Sequence, residues 1–91
     1  MIIKLDKERN FNFDLAAIEK FEEATGKNFF TGNIFENITA ADWVIIAWVG
    51  LLYDDPTLTQ EQVSHLVDLP ALHLIMKAIN PSGGKEDKSP L

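Results

Sequence analysis

Cysteine is absent from this chain, and with it go disulfides, thiolate nucleophiles and every cysteine-based metal site. That composition suits a reducing cytosol. Basic residues are scarce: 8 lysines and arginines face 14 carboxylates, for a net charge of −6. Phosphate binding needs clustered Lys and Arg that displace counterions, so nucleic acid is not an expected partner. An acidic surface likewise repels anionic lipid headgroups. Long hydrophobic runs are missing too. The most apolar stretch, residues 43–53, makes a helix of roughly 16 Å, about half of a bilayer core. Asp42 and Asp54 close it at both ends, so it reads as a buried helix and no membrane is expected. The opening Met-Ile-Ile-Lys-Leu-Asp is too short and too early charged for a secretion signal.

Catalytic constellations are also lacking. His65 and His73 stand eight apart on polar faces, whereas a two-histidine metal site favours four-residue spacing or a nearby carboxylate set. Glu19, Glu22 and Glu23 read as the wet side of an amphipathic helix. Asp54-Asp55-Pro56-Thr57-Leu58-Thr59 lacks the alternating ligands, central glycine and closing glutamate of a calcium loop, and reads as a helix–helix turn. Gly83-Gly84-Lys85 has no strand before it and no helix after it, so it is not a phosphate loop. No catalytic residue, cofactor or metal is therefore expected, and a binding protein is expected in place of an enzyme.

What is present is a foldable apolar pattern. Ninety-one residues with 46% hydrophobic content suit one small domain, expected over residues 1–80, with a flexible tail over 81–91. Residues 2–5 and 11–13 are short apolar or alternating stretches around a polar link, which predicts a small β-hairpin that must lie against helices. A first helix is predicted from near Asp14 to Thr25, with Ala17, Ile18, Phe21, Ala24 and Thr25 on one face and Gly26 as its stop. The aromatics of residues 27–38 need burial in an irregular turn or one short helix. Thr39 with Asp42 predicts a capped start for the apolar central helix, and Pro56 its end. Thr59 with Gln62 opens a third helix carrying Val63, Leu66 and Val67. Pro70 sits in the first turn of a fourth, whose stripe is Leu72, Ile75, Met76 and Ile79 and whose stop is Pro81. The fold class is thus mainly α, a compact bundle of about four helices with a minor N-terminal β-hairpin.

Trp43 and Trp48 lie about 140° apart on the central helix, so one narrow stripe cannot hold both. Either that helix is enclosed on all sides or one indole sits at a partner surface, where Trp is enriched as an anchor. Trp43, Trp48, Phe29, Phe30 and Phe35 are the candidate partner-binding residues.

From Phe13 onward the order of signals resembles the small tail assembly chaperones of long-tailed bacteriophages and prophages. The stretches are Phe13-Asp14-Leu15-Ala16-Ala17-Ile18-Glu19-Lys20-Phe21-Glu22-Glu23-Ala24-Thr25-Gly26-Lys27, Ile38-Thr39-Ala40-Ala41-Asp42, Ala47-Trp48-Val49-Gly50-Leu51-Leu52, Asp54-Asp55-Pro56-Thr57-Leu58-Thr59 and Val63-Ser64-His65-Leu66-Val67-Asp68. They span roughly residues 11–68. The Glu-Glu-x-Thr-Gly helix end and the Ala-Trp-x-Gly-Leu…Asp-Pro-x-Leu-Thr block are the most specific. Where family members often carry basic residues, this chain has Val44-Ile45-Ile46, and its segment 29–38 is more apolar. A contact made by those basic residues is not carried over, and the added hydrophobicity points to self-association as a homo-oligomer. The resemblance implies a non-enzymatic role in the cytoplasm of a bacterial host: coating the helical tape measure protein before the tail tube polymerises, and absence from the mature virion. It also implies a frameshifted longer isoform, for which codons G-GGA-AAG at Gly83-Gly84-Lys85 would serve, a plain flexible tail being the alternative. A second class remains open, an acidic regulatory module of the antitoxin or anti-repressor type.

Overall fold

The computed structural model describes residues 1–31 and 34–79. Strands β1 (Ile2–Lys4) and β2 (Glu8–Asn10) form an antiparallel hairpin, followed by helix α1 (Leu15–Thr25), a 3₁₀ turn (Ile34–Glu36), and helices α2 (Ala40–Leu51), α3 (Gln60–Leu66) and α4 (Leu69–Ile79). The small hairpin and four helices match the expected fold class. Pro81 and the tail over 81–91, including Gly83-Gly84-Lys85, lie outside the described residues.

The second strand differs from expectation. It is Glu8–Asn10, within the segment read as a polar link, and residues 11–13 are not strand. The reason is Arg9. It pairs across the ladder with Ile3, and both are buried. A charged residue breaks the apolar alternation that marks a strand, yet this one faces inward because it is paired. Its Nε and Nη2 donate to the two oxygens of Asp6 at 2.8 and 2.9 Å, a bidentate fork, and its Nη1 donates to Asp55 at 3.3 Å. Asp55 belongs to the α2–α3 turn, so this third bond pins the hairpin to the bundle. Residues 11–13 instead run from the hairpin to α2. The Phe11 N–H donates to the Met1 carbonyl at 2.7 Å and the Asn12 N–H to the Gly50 carbonyl at 2.8 Å.

Local chemistry accounts for the helix ends. The Asp14 carboxylate accepts from the Ala17 N–H, and Gly26 closes α1 in the left-handed region at φ 75°. Thr39 with Asp42 and Thr59 with Gln62 form reciprocal capping boxes at the starts of α2 and α3. Asp68 caps α4 by accepting from the Ala71 N–H at 3.0 Å. On α1, Ala17 and Phe21 are buried and Ile18 is half-buried, but Ala24 is exposed, at the edge of too narrow a stripe. On α4, Ile75 and Ile79 are buried as expected, joined by Ala71, while Leu72 and Met76 are half-covered.

Helix α2 is the centre of the core. Ile46, Ala47, Val49, Gly50 and Leu51 are buried, and each large apolar side chain so removed from water contributes about 1.5–3 kcal/mol. α2 packs against α1 and α3, and α4 against β1. A Cβ on Gly50 would overlap the Phe11 ring. Gly50→Ala gains up to about 1 kcal/mol in helix propensity, but the overlap costs about 1–3 kcal/mol. The variant is therefore expected to melt lower; a higher melting temperature in calorimetry would mean that Phe11 is free to move. Thr39→Ala removes one half of a capping box and should cost about 1 kcal/mol, read as a drop of about 4–8 °C; no change would mean that the amide ends of α2 are satisfied otherwise.

The ion pairs make stability depend on acid. The hydrogen bond from Arg9 holds the Asp6 carboxyl down to about 2. At Asp42 burial works upward, but the bond from Lys27 (2.7 Å) and those from Thr39 outweigh it and hold the carboxyl below its ordinary value. Asp55 is lowered chiefly by the Thr57 hydroxyl and backbone, then by Arg9. Unfolded, these groups titrate near about 4. Their contribution is complete above that pH and is lost as pH falls toward the lower folded values. Melting temperatures should be flat from pH 7 to 5 and fall below pH 4, and Asp6→Asn should fall less steeply. Parallel curves for the two proteins would place the acid sensitivity away from Asp6.

Candidate interaction surface

The sequence singles out Phe29, Phe30, Phe35, Trp43 and Trp48, and the structure brings the first four together. Phe29 is the hub. Its ring centroid lies 5.6 Å from Phe13, 6.1 Å from Phe21, 5.4 Å from Phe30 and 5.8 Å from Phe35, the last three edge-on. Edge-to-face pairs at such distances add to simple area burial. Phe35 in turn lies 6.1 Å from Trp43. The result is an aromatic ridge leading from the core beside α1 to the N-terminal half of α2.

Burial along the ridge corrects one expectation. The aromatics of this segment are not all covered: Phe29 is half-buried, but Phe30 is 70% and Phe35 41% exposed. A 3₁₀ turn of three residues on a chain this small has no second layer to place over them.

Glu22 departs from the reading that gave it to solvent. Its Oε2 accepts the Phe29 N–H at 2.9 Å, tying the ridge to α1, whereas Glu19 and Glu23 are exposed. The sequence holds no signal for this bond beyond proximity, because the partner is a backbone amide seven residues on.

Trp48 stands apart. Its indole N–H donates to the Leu58 carbonyl at 2.9 Å, bracing the turn between α2 and α3. It makes no ring pair with the other four among the described residues. The 140° between the two tryptophans thus separates a bracing indole from one on the ridge.

Beyond Trp43 the surface dips into a groove of about 340 Å³. Ile38, Trp43, Val44 and Ala47 form one side, Val63 of α3 and Val67 just after it the other, and Leu72 joins from α4. Trp43 belongs to both ridge and groove, so the two are one apolar surface. The α3 side was read from sequence only as core, since the stripe that packs on α2 also borders the opening.

The stretch of chain over residues 28–76, which supplies most of this surface, carries charges of one sign. Between Lys27 and Lys77 the chain has no lysine or arginine, while Glu36, Asp42, Asp54, Asp55, Glu61 and Asp68 all fall there. Asp42 and Asp55 are paired with Lys27 and Arg9. Glu36, two residues before Ile38, and Asp68, directly after Val67, are exposed.

A second hollow, of about 440 Å³, is lined by Asp6, Arg9, Glu61, Gln62 and His65, but the Arg9 guanidinium there is already held by two carboxylates. His65 and His73 are exposed. Among the described residues no group of three or more His, Asp or Glu side chains could hold a metal ion, and no helix is long and apolar enough to cross a membrane. Neither family models, nor curated proteins, nor solved structures give a match to this chain.

Proposed function

We propose that this protein is a tail assembly chaperone of a long-tailed phage or prophage, which binds the tape measure protein during tail morphogenesis and catalyses no reaction. The observation that carries the reading is the continuous apolar surface from Phe30 through Phe35 and Trp43 into the α2–α3 groove. A domain of this size that leaves large aromatics uncovered and surrounds them with charge has the character of a binding surface. The order of motifs from Phe13 to Asp68, which resembles that chaperone family, gives the surface its partner: a long helical protein that must be kept from aggregating until the tube forms around it. Action in the host cytoplasm and release before the virion is complete belong to the same proposal, as do a longer isoform and self-association.

The alternative, an acidic regulatory module that mimics nucleic acid, draws on the one-sign charge between residues 27 and 77. Mimicry, however, needs an open acidic face, and here Asp42 and Asp55 are engaged by Lys27 and Arg9 and Glu61 lines a separate hollow.

Co-expression with the tape measure protein encoded beside this gene is expected to keep that protein soluble and to yield a co-purifying complex. Trp43→Ala should weaken the complex at least tenfold, while Trp48→Ala should chiefly lower the melting temperature and Glu23→Ala should do neither. A tape measure protein equally soluble without this chain would refute the chaperone role.

A further inference from the structure

The groove beside Trp43 has walls that restrict its occupant. α2, α3 and α4 satisfy their backbone groups internally, so the groove presents no free sheet edge to which an extended peptide could add. A segment docked there must satisfy its own backbone, which selects a helix. A space of about 340 Å³ accepts a few apolar side chains, such as a helix presents at i, i+3, i+4 and i+7.

Charge then chooses among helices. Helices α2 and α3, which form most of the groove, contain carboxylates and no lysine or arginine; the lysine of α4, Lys77, lies in its last turn, whereas Leu72 is near its start. The exposed Glu36 and Asp68 adjoin lining residues in sequence. On the N-terminal side the nearest basic residue in sequence, Lys27, is held by Asp42 at 2.7 Å. A second copy of the chain would bring the same acidic stretch against itself, and like charges across an interface are disfavoured. A helix whose apolar face is bordered by lysine or arginine meets both the apolar floor and the acidic border.

We propose that the groove formed by the N-terminal half of α2, by α3 and by the start of α4 docks an amphipathic helix of a partner protein whose apolar face is flanked by basic residues. The identity of that partner rests on the chaperone reading; the groove and the chemistry of its ligand do not.

The probes are two synthetic helical peptides, identical in a leucine face spaced i, i+3, i+4 and i+7, one bordered by lysines and the other by glutamates. Binding to the full chain is measured by calorimetry and by Trp43 emission at low and high salt. The lysine peptide should bind at least about tenfold more tightly than its twin and lose most of that preference in high salt. Val44→Glu, which fills the groove, and Ser64→Arg, an exposed position on its α3 side, should each weaken the lysine peptide about tenfold or more, while Ala16→Arg on α1 leaves it unchanged. Circular dichroism identifies any variant that fails to fold, and Ser64→Arg, on an exposed helix position, keeps the test open if Val44→Glu does.

Equal affinities for the two peptides, or binding that survives both folded groove variants, would overturn the proposal. So would sedimentation showing a dimer that Val44→Glu dissolves, since that makes a second copy the occupant. Lysine-peptide binding without any effect on the tape measure protein supports the groove and removes the chaperone reading. Solubilisation of the tape measure protein without peptide selectivity does the reverse.

Discussion

Everything in this fold answers to one constraint: helix α2 is apolar around its whole circumference, and the chain is too short to cover it completely. α1 takes one flank and α3 another. The C-terminal half is closed by the strap at residues 11–13, where Phe11 lies flat on the one residue of α2 that has no side chain. The N-terminal half gets less cover. Trp43, Val44 and Ile45 remain half-exposed, and the 3₁₀ turn that approaches Trp43 brings an exposed aromatic of its own, Phe35. The groove is what remains when a core helix outruns its cover.

The polar residues that reach the interior serve the same end. Arg9 would be prohibitive to bury alone; with Asp6 and Asp55 around it, it fastens the hairpin to the α2–α3 turn. Asp42 caps α2 and takes Lys27 as well, which draws the chain after α1 down to the helix start. Such pairs add little net stability where they are half-exposed, but they determine where each segment attaches. With these cations engaged, Glu36 and Asp68 beside the groove's lining residues form no ion pair among the described residues.

How much could be read from the residues depended on how far apart the interacting partners lie. The caps at Thr39 and Thr59 and the stop at Gly26 join groups within four residues, and sequence spacing revealed them; for Asp14 it gave only the neighbourhood of a helix start. The burial of Arg9 could not be read that way, because Asp55 is distant in sequence and a charged residue imitates a solvent-facing position. Glu22 was misjudged for the same reason, its acceptor role being set by the fold of residues 27–29. For the five candidate aromatics, periodicity alone could not say that Trp48 donates its N–H to Leu58 while Trp43 joins the ridge. The groove itself depends on three helices meeting, and no local pattern encodes a gap.

The packing of α4 against β1 has a consequence for the order in which the protein is made. The first strand leaves the ribosome long before the last described helix that covers it. Until α4 emerges, the hairpin lacks the cover that this helix gives β1, and a two-stranded hairpin alone is marginal. The nascent chain must hold an apolar strand and an apolar central helix in reserve while the rest is translated, so its most aggregation-prone interval falls late in synthesis. A partner that engages the groove before α4 docks would meet a softer molecule than the finished one, and translation speed over the final helix becomes a factor in how much of the chain reaches its native state.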